Sequence, residues 1–487
     1  MEEYGKDKNS KYKYNILEQN LNEEHDKNIL LTENKNLFEQ DDLANKKKIK
    51  IIKFFLVKII LIFICTLILL YPYFTNYYPF SYFKSKNPIK IAIYIYCLRY
   101  GGMERVTALL LNLFAKEKNF AVYLITYTDI LEAEYSVPNN IRRISLKKQK
   151  IDIFRALRNE RMDILISDYD RPFEIERLNR LKRIKVIYCS HSAFFYRIYH
   201  QQQYRIEDTV YQSYKSCKYV VTLLPLENDY LFKKWGINSV LIENPTTFEY
   251  DSVIPSDLSQ KNLIMIGRGD FPGKRFEFGL MAMKYIIQEV PESQMYIISA
   301  PYDNIIKCIN YLNLENHVNI TGYIHNVEPY LKNVSLHLLP SLSESFSMVL
   351  SEAKIYGVPT ILCGLDYLLL AKGGTVMVYD ENPETMAKEA IKILKDDEYR
   401  KKLGKEARDS MAKHTNEIVL KKWTKLLSSV YNGIDESSFS ELFKEYDEKL
   451  TEDEANKILN TQLFFLKKRI PSLSGITLEQ LKYYSLI

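Results

Sequence analysis

The chain has 487 residues, of which 46% are apolar, and its 67 basic and 61 acidic side chains leave a net charge of +6. A chain of this length is too long for one hydrophobic core, so the composition indicates a folded protein of two or three domains. The small positive charge is spread through the sequence rather than gathered with aromatic residues into a patch, which argues against nucleic acid as a partner.

The first two predicted elements are a polar tail and a membrane helix. Residues 1–50 are rich in Asn, Lys, Glu and Asp. We expect a disordered tail, because such a segment cannot bury enough apolar surface to offset the conformational entropy lost on folding. The stretch FFLVKIILIFICTLILLYPYF follows from Phe54 to Phe74 and is long enough to cross a hydrocarbon layer of about 30 Å. We therefore predict a transmembrane signal anchor over residues 51–75. A buried core helix is the alternative, but the run lacks amphipathic periodicity.

The lysines on either side of this run predict its orientation. Five lysines lie between Lys46 and Lys53, whereas three follow the run closely, between Lys84 and Lys90. The positive-inside bias then keeps the N-terminus in the cytosol and gives a single-pass membrane protein, in the Golgi or ER if the source is eukaryotic. Most of the chain's six single cysteines would face an oxidising lumen, which fits this orientation poorly.

Residues 85–256 have the pattern of an N-terminal Rossmann-like domain. The strand candidate IKIAIYIY is followed by a turn at Gly101 and Gly102 and by the amphipathic helix MERVTALLLNLFAKE. A strand, a glycine turn and a helix form the opening of a doubly wound sheet. Further apolar strand candidates lie between Val122 and Pro225, and such continuous apolar runs suit a parallel sheet covered on both faces.

The same pattern starts again in residues 257–430, which we predict to be a second Rossmann-like domain. Its first strand candidate is KNLIMIGR, and a cleft between two such domains is a natural ligand site. Residues 431–487 are a C-terminal helical extension, for which packing on the same chain is favoured over packing on another chain.

The loop GRGDFPGKR follows the first strand of the second domain. Gly267 lets backbone approach a ligand, and Arg268 and Lys274 place two cations at the carboxyl edge of the sheet. Two cations in one loop suit a diphosphate and can neutralise charge on a phosphate leaving group. A solvated basic loop is the alternative when the stretch is read alone.

The stretch SESFSMVLSEAKIYGVP carries two glutamates around the predicted start of a helix. Glu344 precedes the helix and Glu352 lies inside it. The helix start offers the amides of the Ser347, Met348 and Val349 region as an anion site, and the two carboxylates suit the hydroxyls at the two ends of a nucleoside diphosphate sugar. Each glutamate could instead be a dipole partner or a solvated surface residue.

Three spaced motifs together resemble glycosyltransferase family 4, the retaining GT-B enzymes also called glycosyl transferases group 1. They are ESFSMVLSE followed by YGVP, a GR loop with Lys six positions after Arg, and GGMERV at the first helix. The likeness covers about residues 89–430 and implies a GT-B fold with two Rossmann-like domains facing a cleft. It also implies that the first domain binds the acceptor and the second binds a nucleotide-sugar donor.

The resemblance also implies roles for individual residues. Arg268 and Lys274 would hold the donor diphosphate and stabilise the departing nucleotide. Glu344 would bind hydroxyls of the donor sugar, Glu352 would bind the ribose, and Gly102 would line the phosphate region.

Two further positions complete the comparison with the family. His191, in the segment CSHSAFF, matches a position that faces the donor sugar, although a lone His at a strand end is more often structural. Ser347 stands where many members have Gly, so its hydroxymethyl group would either crowd the phosphate or cap the helix.

The implied reaction needs no cofactor and no metal. Apart from Asp168 and Asp170, which fit the spacing by chance, no Asp pair of the metal-binding kind stands at a strand end. The expected partners are a UDP- or GDP-sugar, a glycan, lipid or protein acceptor, and the bilayer. A catalytically inactive, membrane-tethered scaffold is the alternative function, and a phosphorylase or epimerase is disfavoured by the anchor.

Overall fold

A computed structural model of the chain describes residues 53–54, 56–63, 88–99, 101–167, 178, 184–191, 193–204, 211–212, 214–269, 272–439, 442 and 451–469. The chain divides into two units, Met1–Lys84 and Ser85–Ile487. In the first unit the described residues are helical and exposed. None of the described helices combines the length and the apolar character that a membrane crossing requires. The predicted tail, most of the predicted anchor at residues 51–75, and Asp168 and Asp170 lie outside the described residues.

The first half of the second unit is built on a parallel sheet with the strand order β3-β2-β1-β4-β5-β6-β7. All of β1 except Lys90 is buried, as expected for a strand covered on both faces by helices. The strands are β1 (Ile89–Ile95), β2 (Phe120–Thr126), β3 (Arg142–Ser145), β4 (Ile164–Ser167), β5 (Lys185–Cys189), β6 (Tyr219–Thr222) and β7 (Val240–Leu241). The helices are α1 (Gly102–Phe114), α2 (Leu146–Gln149), α3 (Ile153–Glu160), α4 (Phe194–Tyr204) and α5 (Pro225–Trp235).

The second half repeats this plan with the strand order β10-β9-β8-β11-β12-β13, again parallel. Its strands are β8 (Leu263–Ile266), β9 (Met295–Ile298), β10 (Val318–Ile320), β11 (Leu336–Leu339), β12 (Thr360–Cys363) and β13 (Thr375–Val378). Its helices are α6 (Phe276–Glu289), α7 (Asp303–Leu312), α8 (Glu328–Leu331), α9 (Met348–Ile355), α10 (Pro383–Lys395) and α11 (Asp397–Met411). The two parallel α/β halves predicted from the sequence are therefore confirmed.

The C-terminal helices contact both halves. They are α12 (Asn416–Asn432), α13 (Glu436–Phe439) and α14 (Glu452–Arg469). On α12, Trp423 packs edge-on against Phe114 of α1 with 5.7 Å between ring centroids. Helix α14 packs on α4, and its Gln462 Nε2 donates a hydrogen bond of 2.6 Å to the carbonyl of Gly364 after β12. The described part of the C-terminal extension thus packs on its own chain.

One apolar cluster runs through the boundary between the halves. It includes Ile93 of β1, Leu339 of β11, Phe346 of the following loop and Trp423 of α12, all nearly inaccessible to solvent. A buried ion pair accompanies it, because Lys422 Nζ lies 2.6 Å from Glu243 Oε2 in the segment after β7. The halves are therefore joined by packing and by charge as well as by the chain.

Candidate active site

Two loops of the second half meet at the carboxyl edge of its sheet. One follows β8 and carries Lys274, and the other follows β11 and carries Glu344. Because β8 and β11 are parallel neighbours, their carboxyl ends lie at the same edge. The amide of Leu342 donates to the carbonyl of Gly273 at 2.7 Å, and Lys274 Nζ lies 2.6 Å from Glu344 Oε1. The structure thus brings together two residues that are 70 positions apart.

The Glu344 loop is held by an aromatic side chain from the segment after β12. The amide of Glu344 donates to the Tyr367 hydroxyl at 3.1 Å, and the ring of Tyr367 packs against Phe195 of α4 with 4.4 Å between centroids. Glu344 itself is only 9% exposed. The backbone of Glu344 is therefore held by Tyr367, which itself contacts the first half, while the carboxylate is held by Lys274.

Helix α9 begins directly behind this loop, with Ser347 at its N-terminus. Ser347 has a φ of 66° and makes no side-chain capping bond, and its buried hydroxyl has no hydrogen-bond partner among the described residues. A positive φ favours glycine, which explains why the related motif often carries Gly at this position. The hydroxyl does not cap the helix, so the first-turn amides of Met348 and Val349 are left for another acceptor.

Glu352 lies on the buried face of α9 and contacts the first half. Its side chain is fully buried, and Arg105 Nη1 of α1 lies 2.8 Å from its Oε1 atom. The hydroxyl of Thr247 donates to the same Oε1 atom at 2.6 Å. The other oxygen, Oε2, is buried without a hydrogen-bond partner among the described residues. A buried acceptor of this kind calls for a donor that the described chain does not supply.

Sequence reasoning did not identify Arg105 or Thr247. The sequence around Arg105 could have identified it, because Arg105 follows the glycine turn by one helical turn within the motif GGMERV. Thr247 had no such local signal, since it lies 105 positions from Glu352 in an irregular segment.

The remaining predicted site residues follow β5, begin α1 or lie in the loop after β8. His191 follows β5, and its carbonyl accepts a hydrogen bond of 3.0 Å from the Ser345 hydroxyl of the second half. Gly102 begins α1, where a Cβ atom would meet no other atom within 4 Å. A Cβ atom at Gly267 would lie 3.1 Å from Lys274 Cγ, so glycine lets that side chain lie close to the loop. Arg268 is exposed beside it.

A buried polar network lies next to His191. Glu227 on α5 accepts hydrogen bonds of 2.6 Å from both the Ser190 and the Tyr214 hydroxyls. Arg197 of α4 donates to the Tyr214 hydroxyl at 3.3 Å. Burial raises the pKa of Glu227 to about 7, against the opposing effect of the two hydroxyl donors. This carboxyl group therefore changes its charge near neutral pH.

This titration predicts a pH dependence of folding. In the folded state the Glu227 pKa is about 7, compared with an ordinary value of 4.5, so the folded protein binds the extra proton between these values. The free energy of unfolding contributed by Glu227 should fall as pH rises through this window, by on the order of 3 kcal/mol. Urea unfolding at a series of pH values should show this slope in the unmodified protein and lose it in Glu227→Gln.

Glu406→Gln on the exposed face of α11 is the control for this experiment. It should keep the slope of the unmodified protein. An identical slope in Glu227→Gln would show that Glu227 is already ionised throughout this range.

No group of three or more His, Cys, Asp or Glu side chains within the described ranges is arranged to hold a metal ion.

Comparisons with known proteins find a family model that matches part of the second half. Residues 260–396 match the family model Glycosyl transferases group 1. An uncharacterized glycosyltransferase of Haemophilus influenzae is 24% identical over 224 residues, which cover 45% of this chain and 63% of the relative. The N-acetyl-alpha-D-glucosaminyl L-malate synthase of Bacillus anthracis is 30% identical over 159 residues, covering 32% of this chain and 42% of the relative. The chain thus spans less than two thirds of either relative.

A third relative is covered over its full length. The GalNAc-alpha-(1->4)-GalNAc-alpha-(1->3)-diNAcBac-PP-undecaprenol alpha-1,4-N-acetyl-D-galactosaminyltransferase of Campylobacter jejuni is 22% identical over 369 residues, covering 71% of this chain and 100% of the relative.

Solved structures share the two-domain fold. A sucrose-phosphate synthase from Thermosynechococcus elongatus superposes with a TM-score of 0.60 at 15% identity, covering 71% of this chain and 99% of that structure. Anabaena HepE in complex with UDP and glucose has a TM-score of 0.58 at 14% identity, covering 70% of this chain and 100% of that structure. At these identities the likeness shows the fold alone.

Proposed function

We propose that this chain, which carries a glycosyl transferases group 1 domain in a GT-B fold, is a glycosyltransferase that moves a sugar from a nucleotide diphosphate sugar to a glycan, lipid or protein acceptor. The observation that carries the proposal is the meeting of Lys274 and Glu344 at 2.6 Å beside the start of α9. A cation, an acid and the first-turn amides of a helix at one sheet edge match the groups of a donor diphosphate and its sugar.

The nucleoside end of the donor is assigned to Glu352. Its Oε1 atom is held by Arg105 and Thr247, and its buried Oε2 atom lacks a donor in the described chain. A ribose hydroxyl would supply that donor. The fixed carboxylate would thus set the distance between the ribose and the diphosphate bound at the start of α9.

The diphosphate and sugar positions follow from the neighbouring loops. Lys274 and the amides of Met348 and Val349 would bind phosphate oxygens, with Arg268 at the exposed rim. Glu344 would accept hydrogen bonds from sugar hydroxyls, and His191 would face the sugar from the first half. When an enzyme acts mainly by positioning its substrates, fixed charges beside the departing diphosphate supply most of the rate acceleration.

We propose that transfer retains the anomeric configuration and requires neither a metal nor another cofactor. The bond between the anomeric carbon and the diphosphate oxygen breaks while the acceptor oxygen bonds to the same face of the sugar. The acceptor proton passes to the leaving phosphate oxygen. Lys274 and Arg268 take the place of a metal ion in neutralising the departing charge.

The donor is proposed to be a UDP- or GDP-sugar. The structure of Anabaena HepE contains UDP and glucose, which favours UDP as the first donor nucleotide to test. The undecaprenol-linked glycan in the name of the Campylobacter relative favours a lipid-linked glycan among the acceptors.

The chain is further proposed to be a single-pass membrane protein with a cytosolic N-terminus. The support is the apolar run from Phe54 to Phe74 and the lysines that precede it. In a eukaryotic cell this predicts residence in the Golgi or ER.

Thermal unfolding of the full chain tests the donor site directly. UDP or GDP in the presence of EDTA should raise the melting temperature, because a ligand at about 100 times its Kd adds roughly 2.7 kcal/mol to the free energy of unfolding. The matching nucleoside monophosphate, which lacks the second phosphate, should raise it much less. An unchanged melting temperature with every nucleoside diphosphate would contradict the proposed site.

A further inference from the structure

A cavity of about 680 Å³ lies on the first half, away from the proposed donor site. It is lined by residues at the start of β5, at the start of β6 and at the end of α5. Parallel strands all begin at the same edge of a sheet. The cavity therefore lies at the amino edge, opposite the carboxyl edge expected to face the cleft.

The lining of this cavity is basic. Lys185, Lys215 and Lys218 contribute to it, and none of the described residues that line it is acidic. Lys233 and Lys234 are exposed in the last turn of α5, next to the lining residue Trp235. Three lysines thus line a cavity with no acidic residue in its described lining, and two more lie in the neighbouring turn of α5, where Lys233 Nζ is 3.7 Å from Asp229 Oδ2.

Aromatic rings lie beside these lysines. Trp235 packs against Tyr211 with 5.4 Å between centroids, and Lys215 Nζ lies 5.1 Å from the centroid of the Tyr211 ring. Phe232 on α5 is 62% exposed. Long amines beside amphipathic and apolar rings form the combination that suits a membrane–water interface.

The connectivity of the chain also points to a membrane as the partner of this surface. Strand β1 begins at Ile89, at the amino edge of this sheet. Only residues 76–88, thirteen in number, separate it from the predicted anchor that ends at residue 75. A membrane anchor would thus be joined to this sheet at the edge that carries the lysines.

We infer that the surface formed by Lys185, Lys215, Lys218, Lys233, Lys234, Phe232 and Trp235 docks on the anionic headgroups of a lipid bilayer. The lysines attract the phosphates of anionic lipids, and each is worth roughly a five-fold gain in binding near such a surface. Phe232, which is 62% exposed, enters the headgroup layer, and Trp235 lies behind it, packed against Tyr211. This inference rests on the proposed membrane anchor but not on the proposed chemistry of transfer.

The two tryptophans of the chain permit a direct test. Trp423 is only 3% exposed, so a quencher in the membrane should act on Trp235 alone. The full chain is reconstituted into vesicles that contain a lipid with a spin-labelled headgroup, either in phosphatidylcholine alone or with added phosphatidylglycerol. Tryptophan emission should fall in the anionic vesicles and change little in the zwitterionic ones, and Trp235→Phe should abolish the difference.

Charge-reversal variants identify the surface responsible. Replacing Lys215, Lys218, Lys233 and Lys234 by Glu should remove the quenching that depends on anionic lipid. The matched control carries the same replacements at four exposed lysines of the second half and should be quenched like the unmodified chain; these are Lys401, Lys402, Lys405 and Lys421. Raising the salt from 0.1 M to 1 M should also weaken quenching, since the screening length falls from about 10 Å to about 3 Å.

The outcomes separate this inference from the proposed function. Equal emission in both kinds of vesicle, or equal quenching of the charge-reversed and control variants, would overturn the lipid-docking surface. Flotation of the full chain with zwitterionic vesicles reports the anchor independently, and the melting-temperature rise with UDP or GDP reports the donor site independently.

Discussion

Replacing Glu344 by Gln should lower the turnover number for sugar transfer by about 10²–10³-fold, the usual cost of removing one fixed charge partner from a transition state. Nucleoside diphosphate binding should survive, because the substitution removes a negative charge 2.6 Å from Lys274 and so lowers repulsion of the phosphates. Steady-state transfer rates and calorimetric titration with UDP or GDP would measure the two effects separately.

Lys274→Ala should behave differently from Glu344→Gln. Loss of the ammonium group removes a phosphate ligand as well as the charge that stabilises the leaving group, so both nucleotide affinity and turnover should fall. Lys395→Ala is the matched control, because Lys395 pairs with Glu289 on the exposed surface, where ion pairs contribute little. Full activity in either active-site variant would show that this ion pair has no part in transfer.

Arg105→Ala should weaken donor binding by about 10-fold to 100-fold, which corresponds to roughly 1.4–2.8 kcal/mol. Arg105 is the cation that faces the fully buried carboxylate of Glu352. Removing one partner of such a pair leaves a charge without compensation, and this should also lower the free energy of unfolding by about 3 kcal/mol. Calorimetric titration and urea unfolding would give the two values.

Two further variants separate the effect of Arg105 on the position of Glu352 from its effect on the stability of the protein. Thr247→Val removes only a neutral donor to Glu352 and should cost about 1 kcal/mol of stability. Adding Glu352→Gln to Arg105→Ala should restore stability, since the uncompensated charge is gone, while donor affinity stays low. Unchanged nucleotide affinity in Arg105→Ala would mean that Glu352 needs no support from the first half.

The parts of the fold that the sequence predicted are those with long, locally readable patterns. The seven-residue β1 is continuously apolar apart from Lys90, and α1 follows it with one buried face. The edge strands β3, β7 and β13 were not predicted. Their position depends on pairing with β2, β6 and β12, which no local pattern records.

The residues of the candidate site likewise fall into those that the sequence predicted and those that only the structure identifies. The motifs that contain Lys274 and Glu344, with the family resemblance that they carry, predicted one site for both residues, and their 2.6 Å contact follows from adjacent parallel strands. Glu227 was not singled out from the sequence; it stands in the first turn of α5 and is buried beside Tyr214. Its environment depends on three elements that are separated in sequence. The backbone conformation of Ser347 likewise required the structure.

The apolar cluster that joins Ile93, Leu339, Phe346 and Trp423 has a consequence for cooperativity. Neither half can melt without uncovering side chains of the other, so the two Rossmann-like sheets share one unfolding equilibrium rather than two. A cavity made by truncating Phe114 or Trp423, neither of which is assigned a contact with the donor, would therefore reduce the population in which Glu352 and Arg105 meet. In this chain, such core substitutions and loss of nucleotide affinity are thermodynamically linked.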